Sequence, residues 1–319
     1  MDRWNVFEPA TWVTIEASYA PGTQKSYGRV FKQFEAFLAD VGRTIENVRL
    51  SDVLTFMQEY VEAKSAASTM RYVSASLHHY FRLHRQEQVL SSYLVRLFVQ
   101  GAQKLAPPPQ KKTVIWDPEI PMRFIVGKPR PTDFLHAGRE AILLLLLATG
   151  IRVDCASKLS SRLTTEGNYC RIPFLLPRKT GNSEPQVLKP FPENERLCPV
   201  KAIRHYLSLA KRIRATGEKF LFVSSRGKKA HIDTLRHWVV DLLEESGVKA
   251  SAGSCRSAAT SSAFLRSIPI DVILRSAGWA RENTFRRYYQ RQVLSEIICE
   301  NLRPSIAETR LPDGIDNIW

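Results

Sequence analysis

At 319 residues the chain has room for about two domains with separate cores, and a 44% hydrophobic share excludes wholesale disorder. A net charge of +15 favours a polyanionic partner, nucleic acid before membrane, although a basic soluble protein with no such partner has the same balance. Five scattered cysteines (Cys155, Cys170, Cys198, Cys255 and Cys299), with no C-x-x-C pair and no Cys/His cluster, speak against a zinc module and a disulfide framework, and fit reduced thiols inside a cell.

In chain order, no signal peptide is visible in the polar Met1 to Ala10. A short helical pattern surrounds Trp12 and Ile15. Pro21-Gly22-Thr23 punctuates, and Thr23 is placed to cap the next helix. From Gln24 to Asp40, Tyr27, Val30, Phe31, Phe34 and Phe37 recur at spacings of three and four, which is an amphipathic helix. Ser51 is placed to cap a third helix with the stripe Val53, Leu54, Phe56, Met57 and Tyr60. A fourth opens at Ser65 to Thr69 and carries Tyr72, Leu77, Tyr80 and Phe81. A fifth runs from about Ser91 to Leu105. With no strand candidate of any strength, this part reads as a small all-helical domain.

Pro107-Pro108-Pro109-Gln110-Lys111-Lys112 cannot continue a helix and marks the best boundary in the chain. Lys111 and Lys112 suit a segment running along phosphates; a solvated surface run has the same composition. The divisions expected are 1–106, a linker at 107–117, a second domain at 118–300 and a tail at 301–319. Residues 1–116 carry 14 Lys+Arg against 10 Asp+Glu; the totals of 46 and 31 leave 32 against 21 for the remainder, so most of the excess lies there.

Beyond the linker, Pro118 to Val126 is a short helix. Phe134 to Thr149 is a buried helix stopped by Gly150. Its apolar run, Ala141 to Ala148, falls far short of the roughly 20 residues a membrane span needs. Tyr169 to Phe174 and Gln186 to Phe191 flank the turn chemistry of Gly181-Asn182-Ser183, predicting a hairpin or small sheet. Val200 to Ala215 is a helix and Lys219 to Ser224 a short strand. Asp233 is placed to cap a helix reaching about Gly247, and short helices follow at 254–267, 269–277 and 282–291. The fold class is mainly α (α+β): an all-helical first domain, then a mixed, mostly helical one with a small antiparallel sheet.

Several residues suit chemistry on phosphate. Arg152 follows a glycine helix stop, Lys179 sits in the hairpin turn, and Arg256 lies near the start of a helix of small residues. Two guanidinium forks can clamp the oxygens of one phosphodiester and stabilise the charge of a pentacoordinate transition state. A tyrosine nucleophile keeps strand cleavage reversible, because the phosphotyrosyl ester conserves the bond energy and no cofactor is needed. Each residue alone has a bland reading: surface arginine, turn lysine, half-core tyrosine.

Their order carries more. Leu147-Ala148-Thr149-Gly150-Ile151-Arg152, Pro177-Arg178-Lys179-Thr180, Ser254-Cys255-Arg256-Ser257-Ala258-Ala259-Thr260-Ser261, and Ile273-Leu274-Arg275-Ser276-Ala277-Gly278-Trp279 followed by Thr284-Phe285-Arg286-Arg287-Tyr288-Tyr289 together resemble the tyrosine recombinase and integrase superfamily. Within it the sequence is most similar to the recombinases of DIRS-type retrotransposons and Crypton elements. The resemblance covers about residues 10–295. It implies a DNA-clamping first domain, a catalytic second domain, double-stranded DNA as partner, assembly into a tetramer on DNA, no cofactor or metal, no membrane, and a nuclear location.

It also implies roles. Arg152 and Arg256 grip the scissile phosphate, and Lys179 is the general acid toward the leaving 5′-oxygen. Trp279 donates its indole N–H, which cannot transfer a proton. Arg286 and Arg287, with Lys111 and Lys112, contact DNA. The nucleophile is Tyr289 by the retroelement spacing or Tyr288 by the commoner one; neighbouring helix positions point about 100° apart, so one of them faces the phosphate. The departure is Gly253, where the family places a histidine or another polar residue. General acid–base help is typically worth about 10²–10⁴-fold. Three readings therefore stand: an active recombinase, a catalytically impaired or domesticated one that only binds DNA, and a basic helical protein with no nucleic-acid role. A type IB topoisomerase would share the chemistry, but the small first domain and the retroelement likeness weigh against it.

Overall fold

The computed structural model describes residues 8–63, 67–84, 86–105, 116–178 and 184–277. The proline-rich segment expected at 107–117, the short helix expected at 282–291 and the tail at 301–319 lie largely or wholly outside these residues. The chain divides into two compact units, 1–112 and 113–319, each with its own hydrophobic core.

In the first unit the described elements are α1 (Pro9–Glu16), α2 (Pro21–Asp40), α3 (Leu50–Glu62), α4 (Ala67–Leu83), a 3₁₀ helix (Glu87–Leu90) and α5 (Tyr93–Leu105). The three-and-four spacing on α2 buries Val30, Phe34, Phe37 and Leu38. Helix α4 packs against α2, α3 and α5, and its Val73, Leu77 and Phe81 are fully enclosed. Phe34 is the hub: Phe56 meets it edge-on at 5.0 Å and Tyr80 at 5.9 Å, the offset geometry aromatic rings prefer. The Tyr80 hydroxyl donates to Glu35 at 2.9 Å, and burial, followed by that carboxylate, pushes its pKa well up.

The helix starts differ from expectation. Pro21, not Thr23, opens α2, because proline's missing N–H costs nothing in a first turn and its φ is already helical. Helix α3 begins one residue before Ser51. Its start is held by Asp52, whose carboxylate accepts the Arg49 N–H at 2.8 Å.

The second unit holds α6 (Glu119–Val126), α7 (Phe134–Thr149), α8 (Val153–Ala156), β1 (Thr164–Glu166), β2 (Tyr169–Ile172), β3 (Gln186–Leu188), α9 (Pro199–Ala210), α10 (Ile232–Glu245), α11 (Ser254–Leu265) and α12 (Ile270–Ala277). Helix α7 is its axis. Asp133 caps it by accepting the Leu135 and His136 amides at 3.0 Å, and Ala141 to Leu146 of its apolar run are buried, the helix packing against α9, α10 and α11. At Gly138 a methyl group would meet the Trp238 ring at 2.6 Å, so glycine is what lets α10 come this close. Glu140, buried on α7, accepts both Nη atoms of Arg196 at 2.8 Å, and Arg196 also donates to the Ile125 carbonyl at the end of α6. That fork ties α6, α7 and the approach to α9 together.

The small sheet is antiparallel, in the order β1-β2-β3, with Thr164 opposite Arg171 and Cys170 opposite Leu188. Strand β1 was not foreseen; it pairs with β2 through a Gly167-Asn168 turn in which Gly167 has φ +55°. The strands are shorter than expected, and Phe174 leaves the sheet to bridge Leu159.

Lys219 to Ser224 is not a continuous strand: it makes two isolated antiparallel bridges, Phe220 with Ser160 and Val223 with Lys229. Between them its backbone turns to side chains, the Val223 amide donating to the Tyr206 hydroxyl and the Phe220 and Leu221 carbonyls accepting from Arg214. Arg214 therefore serves this segment rather than extending α9, which ends at Ala210 instead of Ala215. Helix α10 is capped by His231, whose ring accepts the Asp233 amide at 3.3 Å, and not by Asp233.

Candidate functional site

The site is built around the stop of α7. Gly150 takes the left-handed conformation, φ +65°, and its amide closes on the Leu146 carbonyl at 2.8 Å. The reversed chain buries Ile151 and leaves Arg152 exposed in extended conformation at the N-terminus of α8. A methyl group at Gly150 would meet the Thr260 methyl at 3.2 Å and Ala277 Cβ at 3.4 Å. The turn is thus clasped between α11 and the end of α12. Ser276 adds a hydrogen bond, donating to the Thr149 carbonyl at 2.9 Å.

Helix α11 carries Arg256 in its first turn, 5% exposed. Its buried positions are small apart from that arginine: Cys255, Ser257, Ala258, Thr260 and Ser261. Small side chains let α11 lie close on α7. Thr260, which touches the Gly150 turn, also donates to the Arg256 carbonyl at 2.7 Å. Burial pushes the Cys255 thiol up to about 12, so this neighbour of Arg256 is an inert packing group.

Gly253, at the N-cap of α11, has φ −66°, and a methyl group there would meet only the Ser251 hydroxyl at 3.9 Å. Neither backbone nor space demands glycine. The first turn has no side-chain cap. It is held from outside: the Trp116 indole donates to the Ser254 hydroxyl at 2.8 Å, and that hydroxyl donates to the Ser251 carbonyl at 2.6 Å. In the hairpin block, Arg178 stacks over Phe174, 4.7 Å from the ring centroid.

The structure therefore gathers the turn bearing Arg152, the helix bearing Arg256 and the end of α12 at one place. Lys179, Trp279, Tyr288, Tyr289, Arg286, Arg287, Lys111 and Lys112 lie outside the described residues. Trp116 lies outside every sequence block, and its pairing with Ser254 spans 138 positions with no local signature. Ser254 and Ser276 lie within the blocks, but nothing local marks them as partners of Trp116 and Thr149. Among the described residues no group of His, Cys, Asp or Glu is arranged to hold a metal ion, and no helix is long and apolar enough to cross a membrane.

Residues 131–294 match the phage integrase family, and residues 12–88 match the phage integrase N-terminal SAM-like domain. The chain belongs to the phage integrase family. No curated protein matches this family member in sequence. Solved structures do share its fold. The Tn1549 transposon integrase in complex with transposon right end DNA superposes with a TM-score of 0.61 at 16% identity, over 88% of this chain and 92% of that one. The XerH site-specific recombinase bound to difH substrate, in a pre-cleavage complex, gives 0.57 at 15%, over 86% and 78%. A lambda integrase tetramer bound to a Holliday junction gives 0.54 at 16%, over 84% and 72%.

Proposed function

We infer that this integrase-family chain cuts and rejoins duplex DNA through a tyrosine. The phenolic oxygen of Tyr289 gives up its proton to solvent, attacks the scissile phosphodiester and forms a 3′-phosphotyrosyl ester. The 5′-oxygen leaves with a proton from Lys179, and the 5′-hydroxyl of another strand reverses the step. Arg152 and Arg256 bind the non-bridging oxygens, where negative charge builds in the transition state, and Trp279 donates a further hydrogen bond. Lys111, Lys112, Arg286 and Arg287 neutralise backbone phosphates, so binding weakens with salt. The observation that carries this reading is the clasp of the Arg152 turn between the helix of Arg256 and the end of α12. The tetramer on a junction belongs to lambda integrase; a tetramer on paired DNA sites is proposed here by likeness. The retroelement form of the arginine and terminal blocks supports a mobile-element origin and a nuclear site of action.

A nicked suicide duplex, which loses the 5′-hydroxyl by diffusion, tests this. Wild type accumulates a covalent adduct, Tyr289→Phe abolishes it and Tyr288→Phe retains it. No tyrosine-dependent adduct from wild type sinks the reading.

A second reading rests on Gly253: a domesticated member that clamps duplex without cutting it. Salt-dependent duplex binding with no adduct favours this one.

A further inference from the structure

We propose that Trp116 is a positioning residue for Arg256, acting through Ser254. The inference rests on the strand-transfer reading above for its kinetic consequence, but not for its structural one.

The argument starts from what α11 lacks. A helix start leaves backbone N–H groups without intrahelical partners, and a capping side chain ordinarily fixes the geometry of that turn. Here the N-cap is Gly253, without a side chain and in helical rather than extended conformation. The turn into α11 is instead set by the Ser254 hydroxyl, which donates to the Ser251 carbonyl at 2.6 Å while the Ser254 amide reaches the same carbonyl at 2.9 Å. A hydroxyl has one proton to give. The Trp116 indole, donating at 2.8 Å, occupies an acceptor lone pair and so directs the Ser254 proton toward Ser251. An indole N–H donates only, so the direction of this chain of bonds is fixed: Trp116 to Ser254 to Ser251.

Trp116 is a rigid anchor for the purpose. It is 7% exposed and belongs to the second unit's core, and it lies four positions after Lys112. Arg256 follows Ser254 by two positions, and Cys255 between them is 1% exposed. A shift at Ser254 therefore passes to Arg256 through a backbone with no slack. Misplacement of a phosphate-gripping group by a fraction of an ångström slows a reaction without abolishing binding, because only the transition state needs the full geometry.

Three variants on the full chain test this: Trp116→Phe, which keeps the ring and removes the donor; Ser254→Ala; and Ser254→Thr, which keeps the hydroxyl. Single-turnover adduct formation on the nicked duplex slows on the order of tenfold in the first two. Duplex affinity stays within about twofold. The Trp116→Phe/Ser254→Ala double variant is no slower than either single, and Ser254→Thr restores the rate. Amide hydrogen exchange at Ser257, Ala258 and Ala259, the first amides bonded within α11, quickens in Trp116→Phe and in Ser254→Ala. Independent, additive losses overturn the pairing. Unchanged exchange at those amides overturns the proposal whatever the cleavage rates. A wild-type chain that forms no adduct defeats the strand-transfer reading alone, and exchange then decides the role of Trp116. Should Trp116→Phe unfold, Ser254→Ala, at the only partly buried residue, carries both measurements.

Discussion

Ser276 donates its hydroxyl to the carbonyl of Thr149 at 2.9 Å, joining the last turns of α12 and α7 across 127 positions of sequence. The accepting carbonyl belongs to a helix terminus, where the final carbonyls have no intrahelical donor. The bond thus satisfies an orphan group and fixes where the chain emerges toward Arg152.

The same turn makes Gly150 hard to replace. Gly150→Ala puts a Cβ at φ +65°, a conformation costing about 1–2 kcal/mol for an L-residue, and presses it on Thr260 at 3.2 Å. Urea unfolding shows the loss as a lower midpoint at unchanged slope. Adding Thr260→Ser, which removes the methyl and keeps the hydroxyl bond to Arg256, recovers the steric part and leaves the backbone strain.

Gly253→His takes the opposite course. The backbone is ordinary and the space open, so the variant folds with wild-type stability. If absence of a proton-transfer group limits the chemistry, adduct formation rises by about 10²-fold or more. Single-turnover kinetics on the nicked duplex measure it, and an unchanged rate shows that another step limits.

Asp133 gives the fold a pH dependence. Its partial burial raises the carboxyl's pKa, but hydrogen bonds from the His136 amide and ring, the His136 charge and the Leu135 amide outweigh this and hold it below the ordinary value. A carboxylate depressed on folding stabilises above its unfolded pKa of about 3.9, and the contribution is lost as pH falls through the folded value. Asp133→Ala therefore costs about 1 kcal/mol at neutral pH, as a lost cap does. Urea midpoints of variant and wild type converge as the pH falls below about 4.

The Glu140–Arg196 fork is asymmetric in its response. Glu140→Ala leaves a half-buried guanidinium without its carboxylate and costs up to about 3 kcal/mol, the low end for a broken buried pair; replacing both partners with apolar residues costs much less. Thermal or urea unfolding of the singles and the double separates the two outcomes.

Much of the helical framework was legible because it rests on periodicity. The spacing of Val30, Phe34 and Phe37 names the buried face of α2, and the unbroken run from Ala141 to Ala148 names α7 as interior. Arg152 and Arg256 were legible because a glycine stop and a small-residue helix leave local marks. What escaped was decided by distant partners. Lys219 to Ser224 looks like a strand, yet it pairs only at the bridges of Phe220 and Val223, because Arg214 and Tyr206 claim backbone groups between them. Trp116 looks like any core aromatic until the fold brings Ser254 to its indole. Cap residues were misplaced by two or three positions at α2, α3 and α10, since several residues compete at each start and tertiary packing selects among them.

The two cores differ in when they can close. The innermost residues of the first run from Val30 to Ala102, so every one has been synthesised before α7 begins. The second cannot close so early: α7 waits for α9, α10 and finally α11, and core residues extend to Ala258. On the ribosome the first unit can therefore be folded while the Leu-rich α7 still lacks its covering helices. That interval, when Leu143 to Leu146 are exposed and unpartnered, is where a chaperone has most to do and where a slowed or truncated chain aggregates.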